Sequence, residues 1–211
     1  MSPVEFGDSV RRNEMRLALV GMSNAGKTTL SKALSGAFSF THAEVDSDIG
    51  HELSQSNIHA LADWLGLPGS EGHKEREKYF LDLEEQYTLL DRPVRGNFVL
   101  DTTGSVVHLS EKARERLRDS YMVVHLDVGN QAMDALIERY FAEPKPVVWG
   151  EHFEKREQES TREALVRCYP ELLRVRLERY RALAHVNVPT PEVKNYFGLT
   201  QYLHTISEPA V

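Results

Sequence analysis

Gly21-Met22-Ser23-Asn24-Ala25-Gly26-Lys27-Thr28 form the pattern G-x-x-x-x-G-K-T, the Walker A phosphate loop. Its glycines let main-chain N–H groups turn inward around an anion. Lys27 is placed to meet β- and γ-phosphate oxygens, and the Thr28 hydroxyl to ligate magnesium. Gly21, Ser23, Asn24, Ala25 and Gly26 would line the cradle, and Thr29 would follow them into a helix. The pattern opens where the apolar run Leu17-Ala18-Leu19-Val20 closes, and Thr29-Leu30-Ser31-Lys32-Ala33-Leu34 continues with helical character. A strand, a glycine turn and a helix whose positive end faces the turn make a binding site for a nucleoside triphosphate.

Transfer of a γ-phosphoryl group requires positioned cations and a carboxylate near the accepting hydroxyl. Asp46-Ser47-Asp48 follows the second apolar run, and Asp101 ends Asn97-Phe98-Val99-Leu100-Asp101. The carboxyl ends of neighbouring parallel strands share one edge of a sheet, the edge on which the phosphate loop also opens. Asp48 is therefore expected to orient the acceptor hydroxyl and Asp46 to reach magnesium through water. Asp101, at the end of a Walker B-like strand, is expected to support the same ion. An aspartate after a strand also serves as a helix cap, which stays open as the other reading of Asp46 and Asp48.

One more cation has a place in this scheme. Glu143-Pro144-Lys145-Pro146-Val147-Val148-Trp149-Gly150 is an apolar stretch between two helical patterns. It reads either as a lid carrying Lys145 to the phosphates or as a loop packing Trp149 into a groove. Arg139, just before it, could stack on adenine or remain a solvated helical arginine.

The elements that must position these groups alternate. Strand-like runs occur at Met15–Val20, Phe38–Val45, Asn97–Asp101, Tyr121–Asp127 and Ala184–Val188. Helical patterns occupy Lys27–Gly36, Ser56–Leu65, Lys74–Asp91, Ser110–Ser120, Gln131–Phe141, Thr161–Leu183 and Pro191–Thr205. Pro170 is expected to split the long segment into two helices. Alternation of this kind predicts an α/β fold, a parallel sheet of about five strands with helices on both faces. Ser110, followed by Glu111, marks a helix start.

Composition narrows the possible partners. The 211 residues are 41% apolar and 27% charged, the make-up of an ordinary globular chain, and no run approaches the ~20 apolar residues a membrane span needs. Net charge is −7 with acids and bases interspersed, which argues against nucleic acid as a partner. The polar start of the chain lacks the apolar segment of a secretory signal. With the single cysteine, Cys168, it predicts a reducing, cytoplasmic compartment. Cys168 reads as a packed thiol, since no partner for a nucleophile is identifiable. Nine histidines show no metal-ligand spacing, so a zinc site is not expected.

These motifs, in this order, resemble the shikimate kinases, a family of P-loop kinases. Gly21–Thr28 matches the family's phosphate loop and Asp46-Ser47-Asp48 its D-S-D segment, whose second aspartate contacts the acceptor. Glu71-Gly72-His73-Lys74-Glu75-Arg76-Glu77 is similar to E-G-F-R-x-x-E. Leu100-Asp101-Thr102-Thr103-Gly104-Ser105-Val106 falls where the family has A-T-G-G-G-S-V, and Arg176-Leu177-Glu178-Arg179-Tyr180 resembles R-x-x-x-Y. The resemblance implies a P-loop NTPase fold. It also implies one kinase domain over 15–211 with a small lid around 139–155, after a flexible segment at 1–14.

It further implies ATP and Mg²⁺ as cofactors and a small polar or anionic metabolite as acceptor. Lys27, Asp48 and Lys145 would act in catalysis. Asp48, Lys74, Arg76, Thr103, Gly104 and Arg176 would hold the acceptor, with Arg176 and Lys74 or Arg76 on its negative group. The departures lie on the acceptor side. Lys74 replaces an arginine and loses its two-pronged grip, and Thr102 and Thr103 replace two glycines. They predict an acceptor other than shikimate.

Two other classes fit parts of the pattern. Asp101-Thr102-Thr103-Gly104 also matches the D-x-x-G of a GTPase-type switch, yet no N-K-x-D follows it. A non-catalytic nucleotide-binding regulatory module would be expected to have lost Lys27, Thr28 or one of the aspartates, and all are intact. A nucleoside monophosphate kinase is a third relative, weakened by the lack of an arginine-rich lid around Lys145. Nothing in the sequence signals an oligomeric state.

Overall fold

The computed structural model describes residues 3–92, 95–190, 198, 199 and 201. Five parallel strands, β1 (Arg16–Val20), β2 (Thr41–Glu44), β3 (Phe98–Asp101), β4 (Met122–Asp127) and β5 (Val186–Pro189), form one sheet in the order β2-β3-β1-β4-β5. The central strands are apolar nearly throughout, because both faces of a parallel sheet are covered.

Side chains alternate between two cores. Ala18, Val20, Leu100 and Val123 point to one face, where they meet α3 (Val45–Glu52), α4 (Ile58–Leu65), α5 (His73–Thr88), α6 (Glu111–Ser120) and α8 (Thr161–Leu183). Leu17, Leu19, Val99, Val124 and Val188 point to the other, against α1 (Pro3–Arg11) and α2 (Lys27–Phe38). The remaining helix, α7 (Met133–Ala142), precedes the proline-rich loop, and a 3₁₀ turn at Gly150–His152 follows that loop. The fold expected from the alternating pattern is the one observed. Among the described residues no helix is long and apolar enough to cross a membrane.

Three local expectations change. Instead of a flexible segment, the chain before β1 contains α1, because Phe6 and Val10, one turn apart, bury against the sheet. Asn97 fastens it, accepting from the Met15 amide at 3.1 Å and donating to the Val10 carbonyl at 3.0 Å. Pro170 does not split α8. It lies on the exposed side of the helix, one turn after exposed Val166, the residue whose carbonyl its missing N–H leaves without a helical donor. Leu165, Tyr169, Leu172 and Leu173 keep one buried stripe running past it. Finally, α2 runs on to Phe38, so β2 is shorter than the apolar run and α3 begins directly after Glu44. The helix expected over Pro191–Thr205 lies outside the described residues, apart from Gly198, Leu199 and Gln201.

Candidate active site

β1 delivers the chain into the Gly21–Thr28 turn at the carboxyl edge of the sheet. Gly21 (φ 146°) and Gly26 (φ 94°) take backbone conformations closed to other residues at little cost, and a Cβ on Gly21 would stand 3.0 Å from the Leu126 carbonyl. Lys27 is only 7% exposed and donates to the carbonyls of Gly21 at 3.0 Å and Met22 at 3.2 Å. Burial lowers its ammonium below the usual lysine range, while Asp101 and Asp46 oppose the shift. The Thr28 hydroxyl donates to Asp101 Oδ2 at 2.6 Å.

The strand register explains why the acids gather here. Asp101 at the end of β3 lies opposite Leu19 of β1 and opposite Glu44 of β2. Glu44, Asp46 and Asp101 therefore line one cleft with Ser23, Asn24, Lys27 and Thr28, a cavity of about 290 Å³ whose far side is formed by Ile58, Phe80, Thr103, Gly104 and Ser105. Burial raises the Asp46 carboxyl to about 6, with Asp101 and Glu44 adding to the shift and Lys27 working against it.

Asp48 does not join them. Residues two apart on a helix point to different sides, and with α3 starting at Val45 only Asp46 faces the cleft. Asp48 turns to Arg92, pairing with its guanidinium at 2.5 Å. The pair of acids two residues apart that lines the cleft is Glu44 and Asp46, where the D-S-D reading expected Asp46 and Asp48.

The acceptor side departs further from expectation. Lys74 is exposed on α5 and is not among the residues lining the cleft. Arg76 is spent on the turn before its own helix, donating to the carbonyls of Leu65 and Glu71, both at 3.1 Å. These carbonyls sit at a helix end and in a glycine turn, and the arginine satisfies them. Two helical turns later, Phe80-Leu81-Asp82-Leu83-Glu84 repeats the F-x-x-x-E spacing, and this copy brings Phe80 to the cleft. Leu81 stands where the pattern has arginine.

Glu84 was not foreseen. Fully buried, it accepts hydrogen bonds from the Thr103 hydroxyl and, at 2.5 Å, from the Ser105 hydroxyl. Burial raises its carboxyl to about 7 in spite of these donors. Thr102 turns back to its own strand, donating to the Leu19 carbonyl at 2.8 Å. The two threonines thus fill the place of glycines without closing the cleft, because each hydroxyl has a partner beneath or beside it.

Arg176 is 3% exposed and donates to the Val148 carbonyl at 2.7 Å and to His108 Nε2 at 3.1 Å. Burial and the flanking Arg176 and Arg179 push the His108 imidazole down to about 3. The Tyr180 hydroxyl donates to the Gly104 carbonyl, fixing the loop between β3 and the next 3₁₀ turn. Lys145 reaches the phosphate loop, donating to Asn24 Oδ1 at 2.7 Å, while Trp149 in the same loop is 1% exposed among Tyr140, Phe153 and Tyr169. The loop that packs Trp149 is thus the one that brings Lys145 to Asn24. Arg139 is exposed near the end of α7 and is not among the residues lining this cleft. Thr29 is exposed in the first turn of α2.

Among the described residues no three His, Cys, Asp or Glu side chains stand together as a ready-made metal nest. Magnesium keeps several waters and takes its other ligands from phosphates and one or two protein oxygens. The Thr28 hydroxyl and the Asp101 carboxylate are such oxygens, hard, adjacent and at the mouth of the phosphate cradle.

A parallel sheet with a phosphate loop at its carboxyl edge, three acids beside it and a lysine arriving from a separate loop defines a P-loop kinase. The shikimate kinase family model matches residues 23–182. The chain belongs to the shikimate kinase family, and with it to the small-molecule kinases rather than the GTPase-type switches. It is 29% identical over 168 residues to shikimate kinase 2 of Syntrophotalea carbinolica, covering 79% of this chain and 83% of that one. Against shikimate kinase 2 of Photorhabdus laumondii it is 28% identical over 129 residues, 61% and 64% of the two chains. The structure of shikimate kinase from Acinetobacter baumannii in complex with shikimate superposes with a TM-score of 0.56 at 22% identity, covering 94% of each chain.

Proposed function

We propose that this protein transfers the γ-phosphoryl group of Mg-ATP to a hydroxyl of a small metabolite other than shikimate. The observation that carries the reading is the Thr28–Asp101 contact at the mouth of the phosphate loop, with Asp46 facing the same cleft from the first turn of α3. Bound magnesium would neutralise phosphate charge, held by Thr28 directly and by Asp101 directly or through water. Lys27 and Lys145 stabilise negative charge on the transferring group. Asp46, not Asp48, orients the acceptor hydroxyl. Its carboxylate takes the hydroxyl proton as the acceptor oxygen bonds to the γ-phosphorus, the bond to the β–γ bridging oxygen breaks, and ADP leaves. ATP is preferred as donor because the sequence carries no N-K-x-D guanine-recognition segment.

The test is a pair of measurements on purified protein. Mg-ATP should raise the unfolding temperature more than Mg-GTP does, since selective binding stabilises the native state. Lys27→Ala should lower phosphoryl transfer by about a thousandfold or more. Equal protection by both nucleotides would refute the donor assignment, and full turnover by Lys27→Ala the kinase assignment.

A further inference from the structure

The acceptor half of the cleft is built from oxygens. Glu44 and Asp46 form one wall and Thr103 and Ser105 another, with Glu84 buried directly beneath the two hydroxyls. Thr103 and Ser105 spend their protons on Glu84, and Thr103 also accepts the Ser105 main-chain N–H at 3.0 Å, which leaves Ser105 the freer acceptor for the cavity that both line. Cations are distributed differently. Among the described residues the lysines that line this cavity are Lys27 and Lys145, and both are committed at the phosphate end, to loop carbonyls and to Asn24.

Arg176 is the remaining candidate for gripping an anion. Its Nε and Nη2 are already taken by His108 and Val148. Only Nη1 lies toward Gly104, 3.6 Å from where a Cβ on that residue would stand, and its charge acts on Glu84. A carboxylate bound firmly by arginine uses two parallel N–H donors; the Nε–Nη2 edge of Arg176 is already spent on His108 and Val148, so only its Nη1–Nη2 edge is left for one. Leu81 stands at the other place where such a donor would enter. A carboxylate in this half of the cleft would meet Glu44 and Asp46, with Glu84 buried behind Thr103 and Ser105, in partly desolvated surroundings, a like-charge cost set against a single arginine edge.

Beyond Glu44, Asp46 and Ile58 the cleft adjoins a second cavity of about 180 Å³, faced by Gln55, Ser56 and Asn57. Amides and hydroxyls there can both donate to and accept from an uncharged polar arm.

Resting on the phosphotransfer reading above, we infer that the acceptor is an uncharged or amine-bearing polyol and not a carboxylic acid. Its hydroxyl or ammonium protons go to Thr103 and Ser105, whose hydroxyls Glu84 holds from behind, its reacting hydroxyl to Asp46, and a further polar arm to the second cavity.

The inference is tested with matched acceptor pairs: shikimate and hexonic acids on one side, cyclitols, neutral hexoses and amino sugars of similar skeleton on the other. Each is added to the full chain with Mg-ATP while ADP formation and thermal protection are followed. At least one neutral or amine-bearing member should raise ADP formation tenfold or more above its matched acid. Glu84→Gln should reduce the selectivity for amine over acid about tenfold with protection by ATP retained, and Thr103→Val gives the same test if the glutamine variant does not fold. A preference for the acids overturns the inference, as does a panel in which nothing stimulates although ATP protects; both leave the kinase reading standing. If ATP itself gives no protection, the kinase reading fails and the acceptor inference falls with it.

Discussion

The carboxylate of Glu77 on α5 accepts the main-chain N–H of Trp149 at 2.5 Å and that of Gly150 at 3.2 Å, so a helix on the acceptor side holds the loop that carries Lys145. Charge-assisted bonds of this kind contribute about 1.5–3 kcal/mol each when lost without replacement. Glu77→Ala is expected to lower the unfolding temperature and to slow phosphoryl transfer about tenfold, because Lys145 loses its fixed approach to Asn24. Glu77→Gln keeps one acceptor and should fall between. Thermal unfolding and steady-state kinetics on the two variants check the order.

The same loop has a second anchor in the Trp149 side chain, enclosed by Tyr140, Phe153 and Tyr169. Trp149→Ala should cost about 3–5 kcal/mol of stability, the usual range for emptying a buried aromatic site. Trp149→Phe should recover more than half of it. Urea unfolding curves with unchanged slope would show that the loss is one of stability.

Asp46 and Asp48 are separated by their kinetics in the proposed scheme. Asp46→Asn should reduce kcat by about a hundredfold or more while ATP protection persists, whereas Asp48→Asn should stay within about threefold, its contact being a partly exposed pair with Arg92. The wild-type rate should rise with pH through about 6, where the Asp46 carboxyl loses its proton. A flat profile across that range, or the two variants behaving in reverse, would remove Asp46 from the role given to it.

The offset between these two aspartates shows where sequence reading stops. The phosphate loop is legible because its chemistry is local, eight consecutive residues between a strand and a helix. Asp101 is legible because it ends a strand in a sheet whose parallel order follows from alternation. Asp48 was misplaced by a boundary: β2 closes at Glu44 and α3 opens at Val45, and a difference of two residues on a helix reverses the side that faces the cleft. Glu84 had a signal in the second F-x-x-x-E spacing, Phe80 to Glu84, which the E-G pair at Glu71-Gly72 drew away to the first. It sits in an acid-rich helix where burial against Thr103 and Ser105 distinguishes it from exposed neighbours such as Asp82. Pro170 was read by a rule for isolated helices, and the buried stripe of α8 overrode it.

Three buried or half-buried histidines and the exposed His185 bear on the response of stability to acid. Burial lowers the pKa of His73, His108, His125 and His185 below the ordinary 6.5, His108 furthest, to about 3. For such groups the unfolded chain binds more protons than the folded one, so their contribution is present above pH 6.5 and is lost as pH falls toward the folded pKa. Asp46 and Glu84, raised to about 6 and about 7, act in the opposite sense and lose their contribution as pH rises through those values. Between pH 5.5 and 4.5 His108 should therefore contribute close to one full proton to the slope, about 1.4 kcal/mol per pH unit. His108→Gln keeps an acceptor for Arg176 and removes that proton. Urea unfolding of this variant at the two pH values should show a loss of stability on acidification smaller than wild type by about that amount, and an unchanged slope would mean that His108 binds its proton in the folded protein.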